Sequence, residues 1–244
     1  MEDVLTGFPN FKGKMVQSKG QQVAPKGKSG VVISPDRKRS IYTQVLANKN
    51  INAENSIVSE GFIRVETRLK NGSGIYDFSI VRDSNSDSIT ERKIDRNDKF
   101  LVTEIAFFLM CRDETKKGVE VLQTYPNPVV FLKPDKTTSY KDLECVYNGK
   151  LSVKVGQTNF IEGMDLLRFR HVPQVQQSAT NANSESSAKM GFFETTPQIL
   201  LSGDQKTEIR IEAPVDSSTV IANDNKETNN YIVMMCRGFL VSNK

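Results

Sequence analysis

The 244-residue sequence has few of the residues that build metal sites, disulfide frameworks and nucleophile–base pairs. It contains no tryptophan, one histidine (His171) and three cysteines (Cys111, Cys145 and Cys236). No two of the cysteines have the close spacing of a zinc site, and an odd number of cysteines leaves a disulfide framework incomplete. We therefore expect three thiols that pack as small apolar side chains, and no metal or other cofactor.

Motifs for catalysis are also scarce. A nucleophile needs an adjacent base, yet His171 stands beside arginines in "RFRHV", and there is no G-x-S-x-G sequence. Glu208 and Glu212 alternate with isoleucines, as on the solvated face of a strand. The acidic stretches "DSNSDS" and "DRNDK" lack the glycine and terminal glutamate of an EF-hand loop. We predict that the protein is not an enzyme and has no small-molecule substrate.

Long apolar runs are absent as well. No run approaches the roughly 20 residues needed to span a bilayer, so we expect no transmembrane segment. The first residues, "MEDVLTGFPNFKGK", contain no basic segment followed by an apolar one. We therefore expect no signal peptide, and synthesis in the cytoplasm.

Positive charge is concentrated at the start of the chain. Residues 1–50 hold nine Lys or Arg and three acidic residues, a net charge of +6, whereas the whole chain has a net charge of +4. This region is rich in Gly, Lys and Gln and has neither helical nor strand periodicity. We predict an extended basic arm over residues 1–50 and a folded body over residues 51–244.

The arm offers two interpretations. Its cations could contact nucleic acid, a membrane surface or a neighbouring subunit, or they could only solubilise the chain. No aromatic residue interleaves with the lysines, so base stacking is not predicted. The candidate contact residues are Lys12, Lys14, Lys19, Lys26, Lys28, Arg37, Lys38 and Arg39.

The body has the pattern of β-strands. "FIRVETRL" and "TEIRIEA" alternate between apolar and polar residues, which predicts half-buried strands. "KFLVTEIAFFLMCR" is almost continuously apolar, which favours a central strand over the helix that its spacing would also permit. "VEVLQTYPNPVVFL" carries two prolines, so we expect a broken or edge strand there.

Two connections are predicted from local composition. Asn148-Gly149 separates "LECVY" from "KLSVKV", a pattern typical of a hairpin with a type I′ turn. The polar stretch over residues 174–189 predicts a long loop. The sequence yields about ten strands and thus an all-β antiparallel sandwich of jelly-roll type. A single roll is favoured over a compact double roll, because two rolls need about 16 strands.

"FFLMCRD" and "VMMCRGF" both end an apolar run in Met-Cys-Arg. We interpret them as two central strands on the inner wall of the sandwich, with Arg112 and Arg237 placed where the chain leaves the core, near solvent or a carboxylate. The residues predicted for these core strands are Phe107, Leu109, Cys111, Val233, Met235 and Cys236.

The C-terminal part resembles a known group of proteins. "NGKLSVKVGQTNFIEGMDLLRFRHVPQ", a following "ILLSG" strand and a closing "RGFL" strand are similar to virion proteins of tailless, lipid-containing bacteriophages of the finnlakevirus type. The resemblance extends over about residues 143–244. This chain departs from that group in length, because the group's coat proteins are usually double jelly rolls.

The resemblance implies a structural virion protein, a subunit of an icosahedral phage capsid that self-assembles through its body and arm. Its implied partners are copies of itself and other virion proteins, with nucleic acid or an internal membrane as further contacts of the arm. The alternative is a carbohydrate- or receptor-binding sandwich, such as a phage fibre or spike domain.

Overall fold

The computed structural model describes residues 56–70, 72–83, 89–116, 118, 120–127, 130–131, 141–172, 175–178, 181–184, 191–214 and 228–243. The arm predicted over residues 1–50 and its boundary with the body lie outside these ranges.

Within these ranges the chain is built almost entirely of strands. The strands are β1 (Ser56–Arg68), β2 (Ile75–Asp77), β3 (Lys99–Asp113), β4 (Lys150–Val155), β5 (Thr158–Asp165), β6 (Val175–Ser178), β7 (Asn181–Ser184), β8 (Phe192–Ser202), β9 (Thr207–Glu212) and β10 (Thr228–Asn243). One α-helical turn, α1 (Lys141–Glu144), runs into a 3₁₀ turn at Cys145–Asn148, and a second 3₁₀ turn follows β5 at Leu166–Phe169.

Eight of the strands form two four-stranded antiparallel sheets. The first sheet has the order β1-β10-β3-β8 and the second has the order β2-β9-β4-β5. The pairs β1–β10, β2–β9, β3–β8 and β4–β5 are nested inside one another along the chain, like one long hairpin folded over on itself. The predicted all-β class is confirmed.

The sheets form where the sequence supplies apolar residues at the right period. In β9, Ile209 and Ile211 are buried, whereas the alternating residues Glu208, Arg210 and Glu212 are exposed. Buried residues alternate along β4 in the same way. Strand β3 is buried on both faces, because the core between the sheets covers one face and a second apolar cluster covers the other. The central strand predicted there is confirmed, and the helical alternative is wrong.

The core fills the space between the two sheets. Phe107 of β3 meets Phe78 edge to face at a ring-centroid distance of 5.6 Å, and it meets Phe169 at 5.0 Å. Aliphatic side chains from both sheets, among them Ile63 and Leu151, belong to the same buried cluster. Because one cluster joins both sheets, the fold is a β-sandwich.

The hairpin predicted at Asn148-Gly149 is wrong. Residues 141–148 are helical, and Gly149 has φ −74° and ψ 168°, which is extended backbone rather than a type I′ turn. A Cβ on Gly149 would lie 3.0 Å from the carbonyl oxygens of Glu212 and Val146. The glycine therefore permits close packing against the start of β4. The tight hairpin follows one strand later, at Gly156-Gln157 between β4 and β5, where Gly156 has φ +60°.

The polar loop predicted over residues 174–189 is also wrong in part. Its described residues form the antiparallel hairpin β6–β7, with Val175 opposite Ser184. The sequence "VEVLQTYPNPVVFL" forms no strand in its described residues, but Gln123 makes a single antiparallel bridge to Leu109 of β3.

A β-bulge interrupts the pairing of β10 with β3. The register shifts between Arg237 and Gly238, which face Glu104 and Val102, so that Thr103 is the extra residue. The Thr103 hydroxyl donates a hydrogen bond to the Arg237 carbonyl. A Cβ on Gly238 would lie 1.8 Å from the Leu101 carbonyl oxygen, so only glycine fits at this position.

Candidate assembly surfaces

The predicted arm contacts, from Lys12 to Arg39, lie outside the described residues and stay predictions.

The residues predicted for the core strands divide between two faces of the first sheet. Phe107, Leu109 and Cys236 belong to the core between the sheets, and Cys111 packs against it.

Val233 and Met235 lie on the opposite, outer face of the first sheet, where they form a second apolar cluster with Phe108 and Met110. Leu122, from the β3–β4 connection, also packs against this cluster. The first sheet is therefore covered on both sides, instead of having one inner wall and one solvated face.

Arg112 lies one residue before the end of β3, as predicted, but it is buried there rather than exposed to solvent. Its side chain is only 4% exposed, and it lies on the outer face of the first sheet between two carboxylates. Arg112 Nη2 is 2.6 Å from Glu66 Oε2 of β1, and Arg112 Nε is 2.6 Å from Glu120 Oε1 of the β3–β4 connection. This ion network therefore fixes a connection onto the sheet.

A second connection joins the same network. The Thr90 hydroxyl donates to Glu66 Oε1 at 2.8 Å and accepts from Arg112 Nη2 at 2.9 Å. Glu91 accepts a hydrogen bond from the Glu66 backbone N–H. Arg64 also contacts Glu66, with Nη2 2.8 Å from Oε1. The network thus ties both the β2–β3 and the β3–β4 connections to β1 and β3.

The protonation states follow from this packing. Burial opposes the charge of Arg112, but hydrogen bonds to Glu120 and Glu66 outweigh it and raise the pKa of the guanidinium. Burial would raise the pKa of Glu120, yet hydrogen bonds from its own backbone N–H and from Arg112 lower it below its usual value. Both groups are therefore held in their charged forms.

Tyr231 of β10 extends the polar cluster. The Arg112 guanidinium lies 4.8 Å from the centroid of its ring, and its hydroxyl donates to Glu114 Oε1 at 2.6 Å. Burial, together with the hydrogen bond to Glu114, raises the pKa of Tyr231 to about 12. The hydroxyl therefore keeps its proton at neutral pH.

Arg237, in contrast, is not at a strand end, since β10 continues to Asn243. Its guanidinium lies 3.8 Å from the centroid of the Phe192 ring on the outer face, and 3.8 Å from Glu104 Oε2. The expectation that each of these two arginines would lie near solvent or a carboxylate is confirmed, since both have carboxylates beside them. The expected position at a strand end is confirmed for Arg112 and wrong for Arg237.

The outer face of the second sheet is different in character. Arg210 Nε lies 2.7 Å from Asp77 Oδ1, and Lys206 Nζ lies 2.6 Å from Glu208 Oε1, with all four side chains substantially exposed. Oppositely charged residues also face each other across β4 and β9. This is the pattern of a solvated surface, and it agrees with the interpretation of Glu208 given above.

The other candidate groups lie apart. His171 is exposed and its backbone N–H donates to the Thr124 carbonyl. Asp165 accepts a hydrogen bond from the Leu167 backbone N–H and so caps a 3₁₀ turn. Burial raises the pKa of Cys236 to about 12, so this thiol stays protonated. Among the described residues, no three His, Cys, Asp or Glu side chains are grouped so that they could hold a metal ion.

A pocket of about 460 Å³ opens beside β1. Gly61, Phe62, Phe100 and Leu240 line it from the sheet, and residues 89–95 line it from the β2–β3 connection. Arg92 lies over the Phe62 ring at 5.1 Å from the centroid. Alternation in the sequence identifies the strands around this pocket but gives no sign of the pocket itself, because its walls are distant in sequence.

Comparison with protein-family models, with curated proteins and with solved structures found no match to this chain. In the part of the chain that the structure describes, no helix is long and apolar enough to cross a membrane.

Proposed function

We propose that this protein is a structural virion protein, a subunit of an icosahedral phage capsid that self-assembles through its β-sandwich and its N-terminal residues. The observation that carries the proposal is the nested strand order of the two sheets. The resemblance of about residues 143–244 to virion proteins of finnlakevirus-type phages supports it independently.

The nested order supports a single jelly roll. A jelly roll has eight strands in two sheets joined by Greek-key connections. Strands β1 to β5 and β8 to β10 make eight, with sheet orders β1-β10-β3-β8 and β2-β9-β4-β5. The hairpin β6–β7 is then an insertion between the fifth and sixth strands of the roll.

Jelly rolls serve as capsid subunits, as lectins and as cupins, so the function has to be argued from surfaces and interior. Here the space between the sheets is filled by packed aromatic and aliphatic side chains. The connections on the outer face of the first sheet are fixed by buried ion pairs. A filled interior and rigid connections suit a building block whose working surfaces lie on its outside.

The basic N-terminal residues supply the second part of the proposal. Their net charge of +6 over residues 1–50 suits contact with nucleic-acid phosphates or with the headgroups of an internal membrane. In such a particle the partners are other copies of this chain and further virion proteins. The protein acts in the virion after synthesis in the host cytoplasm.

Assembly of the purified full-length chain tests this proposal. We expect trimers or larger closed species in light scattering, and closed particles in negative-stain electron microscopy. A strictly monomeric protein at high concentration, with and without residues 1–40, would contradict the proposal.

A further inference from the structure

In the part of the chain that the structure describes, the outer edge of β1 is an open strand edge. Arg64 of β1 exchanges two backbone hydrogen bonds with Arg92, at 2.8 and 2.9 Å, on the side away from β10. Because backbone groups alternate in direction along a strand, the N–H and C=O of Ser56, Val58, Glu60 and Phe62 point the same way. Among the described residues, none forms a backbone hydrogen bond with these four on that outward side.

This edge also exposes apolar side chains. Ile57 is 51% exposed and Phe62 is 41% exposed. The segment Ser56–Phe62 contains no lysine or proline, the residues that commonly protect a strand edge from pairing. An open edge of this kind is suited to the addition of another strand.

We propose that two copies of this chain pair through the outer edges of their β1 strands, antiparallel about a two-fold axis at Ser59, so that their first sheets join into one continuous sheet. The inference deepens the proposed self-assembly by naming one subunit contact, and it rests on self-association alone rather than on the virion.

The register follows from the backbone. A two-fold axis at Ser59 places Ser56 opposite Phe62 of the second copy, and Val58 opposite Glu60. Each of the four resulting pairs exchanges two hydrogen bonds, about eight in all. Pairing stops before Arg64, because Arg92 already occupies that position. No glutamate lies directly opposite a glutamate in this register.

The side chains fit the same register. Ile57 of one copy lies opposite Gly61 of the other. A Cβ on Gly61 would have Phe100 at 3.6 Å and Leu240 at 3.7 Å, so apolar surface lies on the side where a side chain of Gly61 would be. These three residues also line the pocket beside β1. The exposed Ile57 of one subunit therefore packs into the space left by Gly61 of the other, against the apolar side chains of Phe100 and Leu240.

Symmetric cross-linking tests the register directly. Ser59→Cys places two thiols at a non-hydrogen-bonded pair, where Cα atoms lie about 4.5 Å apart and a disulfide can form. We expect the full-length Ser59→Cys protein to form a covalent dimer under oxidised glutathione. Ser56→Cys is the control and should not form one, because its two copies lie about 20 Å apart. Equal cross-linking of both variants, or of neither, overturns the proposed register.

Two further variants test the interface by sedimentation equilibrium. Val58→Pro removes an outward N–H in each copy, and we expect the dissociation constant to rise about 30-fold, the effect of two hydrogen bonds. Ile57→Asp should abolish the dimer at concentrations where the native chain is dimeric. Ile75→Asp on β2, at an isoleucine that is 54% exposed, should leave it unchanged. Thermal melts confirm that each variant is folded.

The outcomes separate this inference from the proposed function. Closed particles that form equally well with Ile57→Asp and Val58→Pro would overturn the β1 contact and leave the capsid proposal standing. A β1-dependent dimer that never forms larger species would support the contact and contradict the capsid proposal. A native chain that stays monomeric overturns both the β1 contact and the capsid proposal.

Discussion

Replacing Arg112 with methionine should strongly destabilise the sandwich. The substitution keeps most of the apolar stem and removes the charge that two buried carboxylates share. Glu66 would retain Arg64 and Thr90, but Glu120 would retain backbone N–H groups and no cation among the described residues: the N–H of Gly118 at 2.8 Å and its own N–H. Removing one partner of a buried ion pair costs about 3–5 kcal/mol. Since the Glu120 side chain is 3% exposed, we expect Arg112→Met to lower the free energy of unfolding by an amount within that range.

The measurement is urea unfolding followed by circular dichroism. Arg210→Met is the matched control, because Arg210 Nε lies 2.7 Å from Asp77 Oδ1, almost the same separation, on an exposed surface. Exposed pairs contribute about 0–1 kcal/mol. Replacing Glu120 with glutamine together with Arg112→Met should restore part of the loss, because no unpaired carboxylate then remains at that position. If Arg112→Met lowers the free energy of unfolding no more than Arg210→Met does, the ion network around Arg112 does not hold the two connections onto the sheet.

Three other changes test the charge of Glu120, the packing at the β-bulge and the role of the N-terminal residues. Hydrogen bonds in the folded state lower the pKa of Glu120, so the ionised carboxylate stabilises the fold above its unfolded pKa, and this stabilisation is lost as the pH falls through the folded pKa. The free energy of unfolding, measured from pH 7 down to pH 3, should therefore decline less steeply for Glu120→Gln than for the native chain. Equal slopes would argue against this role of Glu120. Gly238→Ala should lower the free energy of unfolding in urea by about 3 kcal/mol or more, because its Cβ would overlap the Leu101 carbonyl. Alanine at the facing Gly61 should lower it by less than about 1 kcal/mol. Similar losses for the two variants would contradict the packing at the bulge. Deleting residues 1–40 should weaken assembly in light scattering but preserve a cooperative thermal melt, and loss of that melt would place the deleted residues in the fold.

The parts of the fold that could be predicted are those that local pattern determines. Alternation places Ile209 and Ile211 inside because successive side chains of a strand point to opposite faces. A long apolar run identifies β3 because a central strand is buried on both sides. The hairpin at Asn148-Gly149 was a wrong prediction, because Leu143, Val146 and Tyr147 are all buried in helical turns. Their packing into the core outweighs the turn preference of an Asn-Gly pair.

The sheet order and the candidate surfaces depend on contacts between distant residues. The β1–β10 pair joins Ser56 to Asn243, and no local signal specifies that pairing. In the same way, the alternation of β1 places Glu66 on the polar side of the strand, but it does not reveal that Arg112 and two connections bury it there. Burial of a charged residue is decided by chain segments that are remote in sequence, so an arginine after an apolar run resembles an ordinary strand end.

Electron microscopy of the purified full-length protein, imaged after concentration at neutral pH, tests whether the chain is a self-assembling virion subunit. We expect closed particles of uniform diameter with repeating subunits. A field of dispersed monomers, from protein whose thermal melt shows that it is folded, would contradict the claim.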